Sequence, residues 1–353
     1  MLLTACRDST NKRMLSAVSL RPVHPSEVQM TSRRSLCSAI AGVAFVAAAA
    51  AAEGEAWPTR AIQVISPFTA GNANDTVARV VLDQVSRQLG YPFVIENKPG
   101  GGGTIGPAMV AKAEADGYTI LLHSSSMSAQ VVLHRTLPYD PIRDFAPVVV
   151  FGIQPNVLVA APSTGFKTVA DLVAAAKARP GALTYASAVI GSASHMAAER
   201  LRLAAGINVQ HIPFRGAEGM AEVMAGRIDF YFVPIAPAVP VIADGKVTVL
   251  AVSTPRRAPA LPNVPTIAEA GYPDAEYVFW GGLSVPPKTP RSTVNKLHDE
   301  TQKALDMPTI QERLAKLGVL PQPMSVEQFE QFVRDDLAAT VKLAKDANIA
   351  PTN

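Results

Sequence analysis

Residues 61–90 read AIQVISPFTAGNANDTVARVVLDQVSRQLG. Ala61 to Ser66 is an apolar run of strand length, and Ser66 to Asp75 is a stretch of small, polar and glycine residues. From Thr76 the period changes. Val77, Val81 and Val85, with Leu82 and Leu89, recur on one helical face, while Arg79, Asp83, Arg87 and Gln88 fall elsewhere. Gly90 and Pro92 stop the pattern. The stretch therefore predicts a strand, a loop ending at Asp75 and a helix over 76–89.

The alternation continues outward from this unit. Phe93 to Asn97 reads as a second strand, Ile105 to Ala115 as a helix and Thr119 to His123 as a third strand. Short apolar strands alternating with helices predict a parallel sheet covered on both faces, an α/β protein. After YDPIRDFAP (Tyr139 to Pro147) a second series begins, with strands expected at 157–160, 183–186, 209–212, 228–233 and 247–252. Helices are expected between them at 169–178, 194–205, 220–225 and 238–243. The tail differs: 291–305, 309–317 and 326–347 are amphipathic helices without strands, expected to pack back on the first domain. Over 353 residues, 48% apolar and 17% charged, the chain has length and core for two domains.

The N-terminal part follows other rules. Leu36 to Ala52 (LCSAIAGVAFVAAAAAA) is uncharged and follows Arg33 and Arg34, the order of an export signal. Largely alanine and shorter than the ~20 strongly apolar residues of a membrane span, it is expected to be cleaved after Ala52 or Ala56, with translation starting at Met30. TSRRSL leaves both the general and the twin-arginine routes open. Of the 32 Lys and Arg and 29 acids, six and four lie in residues 1–56, which leaves 26 against 25 in the rest. A near-neutral chain without a basic run predicts no nucleic-acid partner and no membrane insertion of the mature chain. Cys6 and Cys37 both lie in the signal segment, so neither disulfide nor thiol chemistry is expected beyond it.

Residues 57–353 contain no H-E-x-x-H, C-x-x-C, G-x-S-x-G or Walker sequence. His195 and Glu199 share a helix face, where an ion pair is expected ahead of a two-ligand metal site. Gly101-x-Gly103-x-x-Gly106 resembles a dinucleotide fingerprint, but the following strand ends at His123 and Ser124 with no acid to hold a ribose. The expected role of Gly100 to Gly103 is a turn at positive φ. No cofactor and no metal are expected.

Two loops carry more information. Ser66 to Asp75 and Ser187 to His195 (SAVIGSASH) each join a strand to a helix and are rich in glycine and hydroxyl residues. Such loops lie at the carboxyl ends of parallel strands and deliver helix N-termini with unpaired N–H groups. Facing one another across a cleft, they would hold carboxylates. Ala70, Gly71, Gly191 and Ser192 would let a ligand reach backbone, and Thr69, Asn72, Ser192 and His195 could add donors; Asp75 and Ser194 could equally be N-caps. Ser187 opens the second loop, and Ser124, ending the third strand, is placed in the same site. Phe68 and the Phe230 to Phe232 stretch could flank an aromatic ring. Valine at Gly71 or Gly191 is expected to block the approach to backbone.

These residues sit in a chain that resembles the periplasmic solute-binding receptors of tripartite tricarboxylate transporters, the Bug family. The matching segments include PTRAIQVISPFTAGNANDTVAR (58–79), VIENKPGGGGTIG (94–106), DGYTILL (116–122) and YDPIRDFAPV (139–148). Further on they include PNVLVAAPS (155–163), GSASHMAAE (191–199), HIPFRG (211–216), AGRIDF (225–230) and LPNVPTIAEAG (261–271). The resemblance implies a two-domain periplasmic binding protein fold, type II-like, with a ligand cleft between domains crossed twice by the chain. Residues 57–155 with 281–353 would form domain 1 and 156–280 domain 2, after the export segment 1–56. It implies a monomeric receptor that captures a small organic carboxylate, a di- or tricarboxylate or an aromatic acid, and delivers it to integral membrane permease subunits. It also implies ligand contacts from Phe68, Thr69, Ala70, Gly71 and Asp75 in the first loop and Gly191, Ser192 and His195 in the second. Asn72 departs from the family, which usually has glycine there. Two other readings stay open: an exported hydrolase using Ser192 and His195, and a ligand sensor docking a sensor kinase.

Overall fold

A computed structural model describes residues 57–214 and 218–351. The export segment, its cleavage sites, both cysteines and the Arg215 and Gly216 of HIPFRG lie outside the described residues.

The described chain builds two five-stranded sheets. The first holds β1 (Ile62–Ser66), β2 (Phe93–Asn97), β3 (Thr119–Ser124), β4 (Ala146–Gln154) and β10 (Phe279–Val285), in the order β2-β1-β3-β10-β4. The second holds β5 (Asn156–Ala160), β6 (Thr184–Ser187), β7 (Gln210–Pro213), β8 (Phe230–Pro234) and β9 (Thr248–Val252), in the order β7-β6-β8-β5-β9. Pro155 alone separates β4 from β5, and the chain returns to the first sheet between β9 and β10.

The sheets are mixed, which corrects the expectation of wholly parallel ones. β10 runs antiparallel to β3 and β4, and β5 runs antiparallel to β8 and β9. The crossovers cause this, because a strand entering a sheet from the neighbouring layer arrives without a crossover helix to turn it. β4 and β10 were not among the expected strands.

Ten helices among the described residues cover the sheets. They are α1 (Ala73–Leu89), α2 (Ile105–Val110), α3 (Ser126–Leu133), α4 (Val169–Ala178), α5 (Ala193–Ala205), α6 (Glu218–Met224), α7 (Ile235–Ala243), α8 (Arg291–Leu305), α9 (Pro308–Lys316) and α10 (Val326–Asp346). α1 buries Val77, Val81, Leu82 and Val85 against the first sheet, as its period requires, at about 2 kcal/mol per side chain. Gly90 ends it in the left-handed conformation at φ 75°. α2 stops at Val110, earlier than the expected Ala115, in a run of tight turns through Ala113.

The tail does more than cover the first sheet. α10 packs Phe329 and Val333 beside Trp280, yet its end buries Leu343 in the core under the second sheet, and Arg202 Nη2 donates to Ala347 O at 3.4 Å. It thus ties both layers together. No described helix is long and apolar enough to cross a membrane.

Candidate functional site

A cavity of 1020 Å³ lies between the two sheets. From the first layer it is lined by Phe68, Asn72 and Ala73 at the start of α1, and by Ser126, Gln130, Leu133 and His134 along α3. From the second layer it is lined by residues 188–194, Pro213, Phe214 and Glu218, and from the crossovers by Gln154, Pro155, Asn156, Pro234 and Phe279.

The helix behind the first loop starts three residues earlier than expected, at Ala73 instead of Thr76. Asn72 is the N-cap of α1, its Oδ1 accepting the Asn74 amide at 3.0 Å, so the family's missing glycine is replaced by a capping side chain on the cavity wall. Asp75 is not a cap. Fully buried, it accepts Gly71 N at 2.9 Å, Arg79 Nε and Nη2 at 2.9 and 3.1 Å, and Asn97 Nδ2 at 2.8 Å. Burial alone would raise its pKa, but these hydrogen bonds and the Arg79 charge outweigh it and hold the carboxyl below its ordinary value. Asp75 therefore braces the loop from beneath and does not line the cavity. Thr69, Ala70 and Gly71 are exposed and lie outside its lining.

The second loop is held in the same way. Ser192 caps α5, accepting His195 N at 3.4 Å and donating to Val189 O at 2.7 Å. Ser194 Oγ accepts Ala188 N at 3.0 Å. His195 is buried below the loop, where its Nδ1 accepts the Gly191 amide at 3.1 Å and its ring stacks on His211 at 4.1 Å. Burial, with the adjacent His211 and Arg202 charges, lowers its pKa to about 3, so the ring is neutral with Nδ1 free to accept. Ser187, also buried, bonds His211 Nε2 at 2.6 Å.

Several expectations are corrected by these contacts. Glu199 does not pair with His195; its carboxylate accepts Tyr185 OH at 2.5 Å and Arg202 Nε at 2.8 Å. Ser124 is buried behind the wall, bonded at 2.7 Å to the Oγ of Ser126, which lines the cavity in its place. Phe230 and Phe232 are core residues, at 1% and 0% exposure, and cannot flank a ligand. Of the anticipated residues, Phe68, Asn72, Gly191 and Ser192 reach the cavity, while Thr69, Ala70, Gly71, Asp75, Ser124, Ser187 and His195 do not line it. Ser192 Oγ meets the His195 backbone amide and not its imidazole, so the nucleophile–base contact of a hydrolase is not made. Among the described residues no three His, Cys, Asp or Glu converge on a possible metal site.

The crossover residues were missed. Gln154 Nε2 donates to Asn74 Oδ1 at 2.8 Å, and Asn74 Nδ2 and Asn156 Nδ2 are buried donors without a partner among the described residues. Their signal was present in the sequence: Gln154 and Asn156 flank a proline between two apolar strands, where polar side chains have no packing reason to be.

Two mixed α/β layers joined by close crossovers around a cavity define a solute-binding receptor, the two-domain periplasmic binding protein fold. The family described as "Tripartite tricarboxylate transporter family receptor" matches residues 77–349, and the chain belongs to it. It is 33% identical to Protein BugT of Bordetella pertussis over 84% of this chain and 91% of that protein. A protein from a tcbD-tcbE intergenic region of Pseudomonas sp. is 36% identical, over 81% of this chain and 86% of its own. Among solved structures, the R. palustris protein Rpa4515 with adipate superposes with a TM-score of 0.74 at 34% identity, covering 84% of this chain and 99% of that one. MatC from Rhodopseudomonas palustris with bound malate has a TM-score of 0.70 at 31% identity, covering 81% and 99%. The periplasmic binding protein BugD has a TM-score of 0.71 at 32% identity, covering 84% and 100%.

Proposed function

We propose that the chain is a monomeric, non-enzymatic periplasmic receptor that captures a small organic carboxylate between two domains and delivers it to the membrane permease subunits of its transporter. The domains would be 57–155 with 281–353, and 156–280, and the export segment would be removed after Ala52 or Ala56. One observation carries this reading: the N-termini of α1 and α5, capped by Asn72 and Ser192, open onto a single cavity from opposite layers. Each offers backbone N–H groups and the positive end of a helix dipole, which suits a carboxylate without a basic side chain. The relatives solved with adipate and malate support the same ligand class.

Calorimetric titration and thermal shift with mono-, di- and tricarboxylates test it. Saturable binding of an acid that is recovered unchanged is expected, with a rise in Tm that follows ligand concentration. Absence of binding across the panel, or release of a product from the bound acid, overturns the reading.

A further inference from the structure

The walls of the cavity say which carboxylate. This step rests on the receptor reading above. Phe68 follows β1, Phe214 follows β7 and Phe279 opens β10, so three rings reach one cavity from three different elements. Each is half-buried and packs its back on a different core: Phe68 under the first sheet, Phe214 and Phe279 on the two faces of the second. Each ring is thus anchored in the fold on one side and lines the cavity on another. Val189 and Ile190, in the second loop, add apolar surface to the same cavity, and Val189 is 56% exposed.

Charge points the same way. Among the described residues lining the cavity there is no lysine or arginine, and the one acid is Glu218. A first carboxylate can be met by the helix N-termini. A second or third would find no lysine or arginine among these described lining residues to replace its hydration and would share the cavity with the Glu218 side chain. An aromatic body would instead cover Phe68, Phe214 and Phe279, and offset or edge contacts with the three rings would orient it. At 1020 Å³ the cavity also has room for a ring beside the carboxylate.

We infer that the preferred ligand is an aryl monocarboxylate, its carboxylate at the starts of α1 and α5 and its ring among Phe68, Phe214 and Phe279.

Calorimetric titration of the purified protein with benzoate, phenylacetate, malate, adipate and citrate decides the point. An aryl acid is expected to bind about tenfold more tightly than malate, adipate or citrate. Phe214→Leu and Phe279→Leu, which keep an apolar side chain behind each ring, are each expected to weaken aryl-acid binding at least fivefold, with melting temperatures confirming the fold. Malate, adipate or citrate binding as tightly as the aryl acids, or aryl binding unmoved by both substitutions, overturns the inference and leaves the receptor reading standing. Failure of every acid in the panel to bind overturns the receptor reading itself.

Discussion

Leu133 of α3 and Gly191 of the second loop meet across the cavity: a Cβ built on Gly191 would lie 2.2 Å from Leu133 Cδ1 and 3.1 Å from Cγ. Gly191 also sits at φ 77°, where L side chains are strained. The two layers approach one another at this point, so a side chain here must displace the Leu133 side chain. Gly191→Ala is expected to weaken ligand binding more than tenfold, and Gly191→Ala with Leu133→Ala to recover part of the loss. Titration calorimetry on the single and double variants separates the clash, which the second substitution relieves, from backbone strain, which it does not.

Gly71 differs. It sits at φ 80°, and a Cβ added to it would meet no protein atom within 4 Å, so its requirement within the fold is conformational. Its amide donates to the Asp75 carboxylate, which also accepts from Arg79 and Asn97. Asp75→Ala would remove the buried acceptor shared by the Gly71 amide and Arg79, while Asn97 Nδ2 keeps its bond to Phe68 O at 3.0 Å. The expected cost is about 2 kcal/mol of stability, with weaker ligand binding as the loop loses its brace. Denaturant unfolding and titration of the same variant check both, and an unchanged midpoint sinks the account.

How far the sequence could be read follows from where each residue's role is decided. β1, α1, β2 and β3 were legible because the period of each is set by its own burial. β4 and β10 were not. β4 (APVVVFGIQ) is apolar on both faces and shows no alternation. β10 carries Gly281 and Gly282, which weaken a strand pattern. The glycines are there because a Cβ on Gly282 would lie 2.2 Å from Val149 O and one on Gly281 2.6 Å from Asn74 Oδ1. That approach belongs to the folded sheet and leaves no local trace. The cavity residues divide similarly. Asn72 and Ser192 are visible as caps in two loops, whereas Gln130, His134, Gln154, Asn156 and Phe279 reach the cavity only through α3 and the crossovers.

Ser192→Ala separates a ligand donor from a cap. The hydroxyl already donates to Val189 O and accepts the His195 amide, so it has no proton left for a ligand. The expected result is a loss of about 1 kcal/mol in folding stability, with ligand affinity changed less than twofold once the protein is folded. A selective loss of affinity at unchanged Tm would show that Ser192 turns its proton to the ligand.

The stability of the fold on acidification follows from its buried titrating groups. Burial lowers His123 and His195 to about 3, and His123 Nδ1 is held by Ser284 Oγ at 2.6 Å. In the unfolded chain both titrate near the ordinary histidine value of about 6.5. Between these limits the unfolded state binds protons that the folded state refuses, so stability is lost as pH falls. His211, also lowered by burial, acts in the same direction. Asp336 opposes them: burial raises it to about 6 although Ser128 Oγ donates to it at 2.6 Å, so the folded state takes up its proton first and gains stability on acidification from 6 to 3.8. Two imidazoles against one carboxyl leave the unfolded state with an excess of about one proton between pH 4 and 6, a slope of about 1.4 kcal/mol per pH unit. Unfolding midpoints are therefore expected to fall from pH 7 to 4.5, and Asp336→Asn, which removes the opposing group, should steepen the fall. His195→Gln should flatten it, since a neutral side chain replaces one of the imidazoles. A midpoint that is level or rises on acidification would contradict this assignment of the buried histidines.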